Sequence, residues 1–311
     1  MAGVLTGFAV IGVIIAVGYV CARFEVAGSP AVTGPVLNRF AFLVATPALL
    51  FTVVSRAPIQ ALFGAQALVH AMAAAAAALA FLLVKRMLTV GKAAPTDTVI
   101  GTTAASYINA NNMGLPVAIF VLGNPEAVVP ALLLQLLVYA PLVLVLLDML
   151  TAAKTSLRSV ALQPLRNPVL VATAAGALVS GFGVVVPPML AEPLSILGGA
   201  AVPMVLVAFG MSLRGMRPFQ AGGAPRRLVV IAALVKTVAM PVFAYLIATL
   251  AFGLGREAVF TAVVVAALPT AQNIYNYAAA YRAGELVARD TVLLTTVLAP
   301  ISLIAAALLL G

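Results

Sequence analysis

Apolar residues along the 311-residue chain gather into long runs, and short polar or basic stretches separate these runs. A run of about 20 apolar residues has the length that a helix needs to cross the hydrocarbon of a bilayer. Counting such runs predicts ten membrane spans, at about 3–22, 36–54, 61–84, 98–122, 127–150, 167–186, 189–213, 228–252, 257–281 and 286–310. The pattern therefore predicts an all-α integral membrane protein whose solvent is the lipid bilayer.

Two of these spans carry polar residues where the helix is expected to break. Span 4 contains NANNMGLP at Asn109–Pro116, and span 9 contains LPTAQNIYNY at Leu268–Tyr277. Amide side chains are costly in lipid unless they face a polar cavity or one another. We interpret the two clusters as a binding site. Hydrogen bonding between helices, without a ligand, is the alternative.

The prolines indicate an internal repeat. Pro116 and Pro269 are 153 residues apart, and Pro47 and Pro203 are 156 residues apart. Two pairs at nearly one offset predict a duplication of five spans. Because five is odd, the second repeat is inverted in the membrane relative to the first. Broken helices at matching places of inverted repeats are typical of a transporter site near the middle of the bilayer.

The repeat divides the chain into residues 1–152 and 164–311. Composition agrees with a membrane protein, because 64% of the residues are hydrophobic and only 8% are charged, with a mean hydropathy of +1.19. A soluble domain has about 25% charged residues. The net charge of +9 does not indicate a nucleic-acid partner, since the basic residues stand in short loops without interleaved aromatics.

The distribution of basic residues predicts the orientation of the spans. Fourteen of the 17 lysine and arginine residues lie in or beside the loops that follow odd-numbered spans. The loops that follow even-numbered spans hold only Arg56 and Arg256, and Lys236 lies inside span 8. Lysine and arginine collect on the cytoplasmic side, so both termini are expected outside. The fourteen are Arg23, Arg39, Lys85, Arg86, Lys92, Lys154, Arg158, Arg166, Arg214, Arg217, Arg226, Arg227, Arg282 and Arg289.

The helix breaks suggest how an anion is held. A broken helix exposes unpaired N–H groups at the start of its second half, where the helix dipole is positive. We expect Gly114 to allow close approach of the backbone and Pro116 to fit the first turn of the new half-helix. If the breaks cross, amides from both surround one point and form a site for a small carboxylate. The predicted substrate-binding residues are Asn109, Asn111, Asn112, Gly114, Pro116, Gln272, Asn273 and Asn276, and Tyr275 either binds substrate or packs.

Three ionisable residues within spans are candidates for auxiliary or coupling roles. Lys236 stands in the middle of span 8, where it would steady a half-helix end or balance an anion. His70, the single histidine, is either a proton relay or a core residue. Asp148 is taken as the one acid within a span. These residues form no metal-binding set and no nucleophile–base pair, so we expect no metal, no cofactor and no enzymatic activity.

At the two breaks the chain resembles the auxin efflux carrier family, which includes plant PIN-type auxin carriers and bacterial carriers assigned to malonate and malate. The matching motifs are NANNMGLPVAIFVLG at Asn109–Gly123 and ALPTAQNIYNYAAAYRAG at Ala267–Gly284, with Lys236 before Pro241. The overall plan is shared with sodium/bile-acid symporter-like and sodium/proton antiporter-like proteins. The long hydrophilic loop of the long plant carriers is missing, because spans 5 and 6 are joined by about 153–165.

The resemblance implies a scaffold of spans 1, 2, 6 and 7 and a transport domain of spans 3–5 and 8–10, with crossed helices 4 and 9. It also implies an elevator-like movement, a homodimer through the scaffold, and a place in the bacterial inner membrane with periplasmic termini. By the family's motif, the substrate carboxylate contacts Asn111 and Asn112, and the facing surface includes Pro269 and Thr270.

The leading hypothesis is a secondary-active carrier of small organic anions such as malonate, malate or an auxin-like monocarboxylate. A sodium- or proton-coupled transporter of the same fold, acting on a cation or another solute, is the alternative. A channel is a further reading, which conduction faster than carrier turnover would identify.

Overall fold

The computed structural model describes residues 2–26, 28–56, 64–88, 93–151, 167–214 and 225–311. Within these ranges the chain is helical and contains no strand, only one isolated β-bridge. Several residues used to predict the orientation lie outside the described ranges, namely Lys92, Lys154, Arg158, Arg166 and Arg217. The start of predicted span 3, at 61–63, lies outside them as well.

The helices follow the predicted spans and are numbered after them. They are α1 (Ala2–Arg23), α2 (Pro30–Val54), α3 (Ala65–Met87), α4a (Pro95–Ala104), α4b (Ala110–Gly114 and Leu115–Phe120), α5 (Pro125–Thr151), α6 (Pro168–Gly181), α7 (Pro188–Ser212), α8 (Arg226–Ala251), α9a (Arg256–Ala266), α9b (Asn273–Tyr281) and α10 (Glu285–Leu310). Within α7, the helix is divided at Ala200.

Six helices of the described chain are long and apolar enough to cross a membrane. They are α2, α3, α5, α7, α8 and α10, each of 23 to 27 residues. Shorter apolar helices occur at Ala9–Arg23 and Pro168–Gly181, and spans 4 and 9 are each split in two. An all-helical integral membrane protein is therefore supported, whereas the ten-span inverted repeat remains a prediction.

The helices pack as two groups. Helices α1, α2, α6 and α7 contact one another, with α1 on α7 and α6 on α2 as the most extensive pairs. Helices α3, α4a, α5, α8, α9a, α9b and α10 form the second group, in which α8 packs on α3, α9a and α10. Helix α4b lies between the groups, because it follows α4a in the chain yet packs on α1 and α7.

Two glycines allow the closest contact within the first group. A β-carbon on Gly18 of α1 would collide with the backbone oxygen of Val207, and one on Gly210 of α7 would collide with that of Ile15. Small residues at such crossings let two backbones approach, which strengthens van der Waals packing where lipid supplies no hydrophobic driving force between helices. The α1–α7 pair is therefore fixed by backbone-to-backbone contact.

Prolines inside the spans widen the preceding turn of the helix. A π-turn ends two residues before Pro47, Pro116, Pro141 and Pro241. Proline has no N–H and crowds the carbonyl four residues earlier, so the turn before it opens. Pro241 has no N–H to donate to the carbonyl of Thr237, four residues earlier. The hydroxyl of Ser302 in α10 donates to this carbonyl instead, at 2.6 Å.

Candidate functional site

The two helix interruptions meet inside the second group of helices. Ile108 and Thr270 form an antiparallel β-bridge. The backbone N–H of Asn109 donates to the carbonyl of Pro269 at 2.7 Å, and that of Ala271 donates to the carbonyl of Tyr107 at 3.2 Å. Backbone without helical partners is tolerated at this depth only where protein satisfies it. Each interruption thus supplies the hydrogen bonds that the other lacks.

The interruption of span 4 lies earlier than predicted. The non-helical residues are 105–109, and the helix resumes at Ala110, so Asn111, Asn112, Gly114 and Pro116 all belong to α4b. In span 9 the non-helical residues are 267–272, which include Pro269 and Thr270. The cause of the difference is Asn109, whose side chain and carbonyl begin a new helix immediately.

The ends of both first half-helices are capped by side chains from other parts of the chain. The hydroxyl of Thr270 donates to the carbonyl of Ala104, the last residue of α4a, at 2.6 Å. The ammonium of Lys236 donates to the carbonyl of Ala266, the last residue of α9a, at 2.6 Å. Both side chains are completely buried. Because helix C-termini carry orphan carbonyls and partial negative charge, these bonds satisfy the two ends inside the protein.

The starts of the second half-helices are satisfied within the chain. Asn109 accepts the N–H of Asn112 through its side chain and the N–H groups of Met113 and Gly114 through its carbonyl. In α9b, the carbonyl of Gln272 accepts two N–H groups of the first turn. Part of the expected row of unpaired N–H donors is therefore used.

A small cavity of about 20 Å³ lies beside the paired interruptions. Its polar wall comes from α4b, α9b and the interruptions, and its apolar wall includes Phe42 of α2 and Val169 of α6. This volume accommodates about one water molecule, so a carboxylate enters only when the walls separate. The lining residues are Phe42, Tyr107, Ile108, Asn109, Ala110, Asn111, Asn112, Leu132, Gln135, Leu136, Val169, Ala271 and Asn273.

Amide side chains at the cavity are linked in a row that reaches the first helix group. The amide nitrogen of Asn111 donates to the side-chain oxygen of Asn112 at 2.7 Å. The amide nitrogen of Asn112 points at the side-chain oxygen of Asn38 in α2 at 3.5 Å, the limit of a hydrogen bond. Two buried amide atoms at the cavity have no partner, the oxygen of Asn111 and the nitrogen of Gln135.

Three tyrosines, Tyr107, Tyr139 and Tyr277, contact one another or polar residues next to the interruptions. The rings of Tyr107 and Tyr139 are 5.3 Å apart at 44°. The hydroxyl of Tyr107 hydrogen-bonds to Tyr277 and to Asn273, and Tyr139 bonds to Ser106. Tyr107 is 2% exposed and lines the cavity, so its position couples the span 4 interruption to α9b.

Several predicted substrate-binding residues stand outside the cavity wall. Gln272 and Asn276 are exposed, and Tyr275 packs partly buried against the core. Gly114 is helical and buried, and a β-carbon there would press on Val128 and Leu268, so this glycine permits packing between helices rather than approach of a ligand. Pro116 is buried beside it. Pro269 and Thr270 act through the hydrogen bonds described above.

The auxiliary candidates are also separate from the cavity. His70 of α3 is 5% exposed, has no hydrogen-bond partner on either ring nitrogen, and lies within electrostatic range of Lys236. Asp148 is half-buried near the end of α5. The expectation that Asp148 is the one acid within a span is wrong, because Glu192, Glu257 and Asp290 also fall within the predicted spans, and Asp290 of α10 is completely buried.

Asp290 lies among unsatisfied polar groups. One of its oxygens contacts the guanidinium of Arg289 at 2.8 Å, and the other has no partner. The buried hydroxyl of Thr291 has none either. One turn further, Thr295 donates to the carbonyl of Thr291 and accepts the backbone N–H of Thr270. Hydrogen bonds therefore join the span 9 interruption to the backbone of Thr291, the residue next to Asp290.

Gln135, Asn38 and Asp290 are not among the residues predicted from the sequence. Gln135 stands alone in ALLLQLLVYA, and a single amide in an apolar span is a sufficient signal, because burying it is costly without a function or a partner. Asn38 and Asp290 lie near the predicted start of their spans, where a polar residue is expected at the membrane surface. Only the tertiary arrangement shows that Asn38 reaches Asn112 and that Asp290 is buried.

Comparison with known proteins identifies the family. Residues 4–306 match the family described as membrane transport protein. The chain belongs to this family, the auxin efflux carriers. The resemblance seen at the two breaks is thus confirmed, and the protein is a membrane transporter, not an enzyme.

A relative from Rhizobium meliloti (strain 1021) carries the name "Putative malonate transporter". It is 30% identical over 273 residues, which cover 84% of this chain and 82% of the relative. The match therefore extends over most of both proteins.

Proposed function

We propose that the protein is a secondary-active carrier of small organic anions, which bind in the cavity beside the paired interruptions. The observation that carries the proposal is a polar but uncharged wall, built where two broken helices meet and two helix groups adjoin. Interrupted helices at a shared point are the usual form of a transporter site. The cavity is small because its walls are closed on one another.

The chemistry of the wall favours an anion over a cation. Among the residues that the structure describes, no aspartate or glutamate lines the cavity, so a cation would meet no counter-charge from them. Asn112, Gln135 and Asn273 offer amide N–H groups, and neutral amides bind a carboxylate without the cost of burying a further charge. The name of the relative from Rhizobium meliloti makes malonate the first anion to test.

The two helix groups support an elevator-like movement. Helices α1, α2, α6 and α7 serve as the scaffold, and α3–α5 with α8–α10 carry the substrate past them, with α4 and α9 crossed at the site. Phe42 and Val169 of the scaffold close one side of the cavity. The proposal includes ten spans as two inverted repeats over 1–152 and 164–311, a homodimer through the scaffold, and a bacterial inner-membrane location with periplasmic termini.

Transport by purified protein tests the proposal. Charge displacement on a solid-supported membrane and radiolabelled uptake into proteoliposomes are measured for mono- and dicarboxylates, including malonate, malate and indole-3-acetate. We expect saturable transport of at least one, and its loss in Asn112→Ala with an unchanged elution profile in detergent. Absence of transport by both measurements for the whole panel would contradict an organic-anion carrier. Unchanged transport in Asn112→Ala would contradict the site.

Coupling to sodium or protons is a second candidate feature, and Asp290 favours it. This buried carboxylate has one unpartnered oxygen, and the next residue, Thr291, is joined to the span 9 interruption through Thr295. Uptake is compared in sodium and in choline, with and without a pH gradient. A coupled carrier loses accumulation when its driving gradient is removed, whereas equal accumulation under all four conditions excludes both ions.

A further inference from the structure

Two residues that line the cavity each carry a buried amide atom without a hydrogen-bond partner, one a donor and the other an acceptor. The amide nitrogen of Gln135 has no partner, and neither has the side-chain oxygen of Asn111. Both residues line the cavity, and Gln135 is only 2% exposed. A buried polar atom without a partner is unfavourable, so a ligand that satisfies both atoms gains more than one that satisfies either alone.

The direction of the amide row explains why Asn111 presents its oxygen. Its nitrogen is used by the oxygen of Asn112, whose own nitrogen is directed at Asn38. The hydrogen bonds of the row therefore run from Asn111 toward α2. The free oxygen of Asn111 accepts a hydrogen bond and repels a carboxylate oxygen placed against it.

The electrostatics of the wall restrict the charge of the ligand. In the described part of the chain, no lysine, arginine or histidine lines the cavity. The ammonium of Lys236 is completely buried and bonded to Ala266, so it does not reach the cavity. Part of the wall is apolar, with Phe42, Leu132 and Val169 among its residues. A second negative charge on the ligand would lose its water without gaining a cationic partner.

We propose that the site selects singly charged carboxylates that also carry one hydrogen-bond donor, the carboxylate meeting Gln135 and the donor meeting Asn111. A dicarboxylic acid is then transported as its monoanion, and its remaining carboxylic acid O–H donates a hydrogen bond to the side-chain oxygen of Asn111. This inference rests on the proposed function and names the substrate class of that same site. It distinguishes the monoanion of malonate from the dianion and from a monoanion that has no donor.

Malonate and monomethyl malonate test the proposal in wild-type proteoliposomes. The ester is a monoanion like hydrogen malonate but has methyl in place of the acid proton. Uptake is measured from pH 5 to 8 with the same pH on both sides, so that no proton gradient acts. Because the charge of the ester is constant over this range, the ester also reports any effect of pH on the protein itself.

We expect malonate uptake, divided by that of the ester, to fall as pH rises, by about tenfold per unit once the second carboxyl is ionised. At pH 5 the ester should be taken up about tenfold or more slowly than malonate, since Asn111 is left unsatisfied. Equal uptake of the two at pH 5, or malonate uptake that increases with the dianion, would overturn the proposal while the carrier function stands. If neither these two nor any other carboxylate is transported, the proposed function itself fails, and the inference with it.

Two variants assign the roles. Asn111→Leu removes the acceptor, and we expect it to bring malonate uptake down to the level of the ester. Gln135→Leu removes the carboxylate donor, and it should slow both substrates by a similar factor and preserve their ratio. A preserved ratio in Asn111→Leu would overturn the role of Asn111. The wild-type comparison stands independently if either variant fails to fold.

Discussion

Replacing Thr270 with valine removes a single hydrogen bond from the meeting point of the interruptions. The two side chains have nearly the same shape, and Thr270 is completely buried, so packing is retained. What is lost is the bond from its hydroxyl to the carbonyl of Ala104, which is 2.6 Å long. The bond from the backbone of Thr270 to Thr295 does not involve the replaced hydroxyl.

The expected cost follows from what Ala104 loses. Its carbonyl is at the end of α4a, where a helix has no internal partner to offer, and Ala104 is completely buried. Leaving a buried acceptor unsatisfied costs about 1–3 kcal/mol. At about 2–4 °C per kcal/mol, the thermal midpoint in detergent should fall by roughly 2–12 °C. Uptake should fall as well, because this bond joins α4a to the span 9 interruption.

Thr173→Val is the matched control. Thr173 is 1% exposed, and its hydroxyl bonds the carbonyl of Val169 one turn back at 2.7 Å. That acceptor lies within α6, where the helix backbone satisfies it, so valine leaves no orphan group. We expect a change under about 0.5 kcal/mol there. Thermal midpoints that fall equally in the two variants would refute the reasoning that the hydroxyl of Thr270 caps a helix end.

Three further substitutions test other parts of the structure. Lys236→Met should lower uptake at least about tenfold, because the C-terminal end of α9a loses the cation that caps it. The thermal midpoint should stay the same or rise, because a buried charge is removed. Full uptake would show that the lysine is dispensable. Asn112→Ala should abolish uptake, whereas Asn276→Ala, at an exposed amide outside the cavity, should retain it, and the opposite pattern would move the site. Gly210→Ala should lower the yield of folded protein, because its β-carbon would push α1 away from α7. Gly199→Ala is the control and should not lower the yield, because the space at its β-carbon is open. Equal yields of the two variants would contradict the close packing of α1 on α7.

The positions of the helices and of the two amide clusters were predictable because they depend on local composition. A run of apolar residues crosses lipid as a helix whatever its neighbours are, and asparagines next to glycine and proline interrupt such a run. The family was also recognisable at the same motifs. The interruption of span 4 was placed too late, since Asn109 caps α4b rather than beginning a longer break.

The composition of the cavity was only partly predictable. Asn109, Asn111, Asn112 and Asn273 line it as predicted. Gln272 and Asn276 are exposed because they lie on the face of α9b that is directed away from the protein interior. The packing of α9b on α5 and α10 determines which face is buried. The amide Gln135 joins the site from α5, a helix with no break and no motif.

The sequence by itself determined three properties. The protein is a membrane protein, its apolar helices lie at the apolar runs of the chain, and two of those runs carry amide side chains that are costly in lipid. These are properties of short segments and their solvent. The tertiary structure decided how the segments satisfy one another: Thr270 on Ala104, Lys236 on Ala266, and the backbone bridge between Ile108 and Thr270. Those bonds join residues far apart in the chain, and hydrogen bonding between such residues depends on distance in space, which no local pattern encodes.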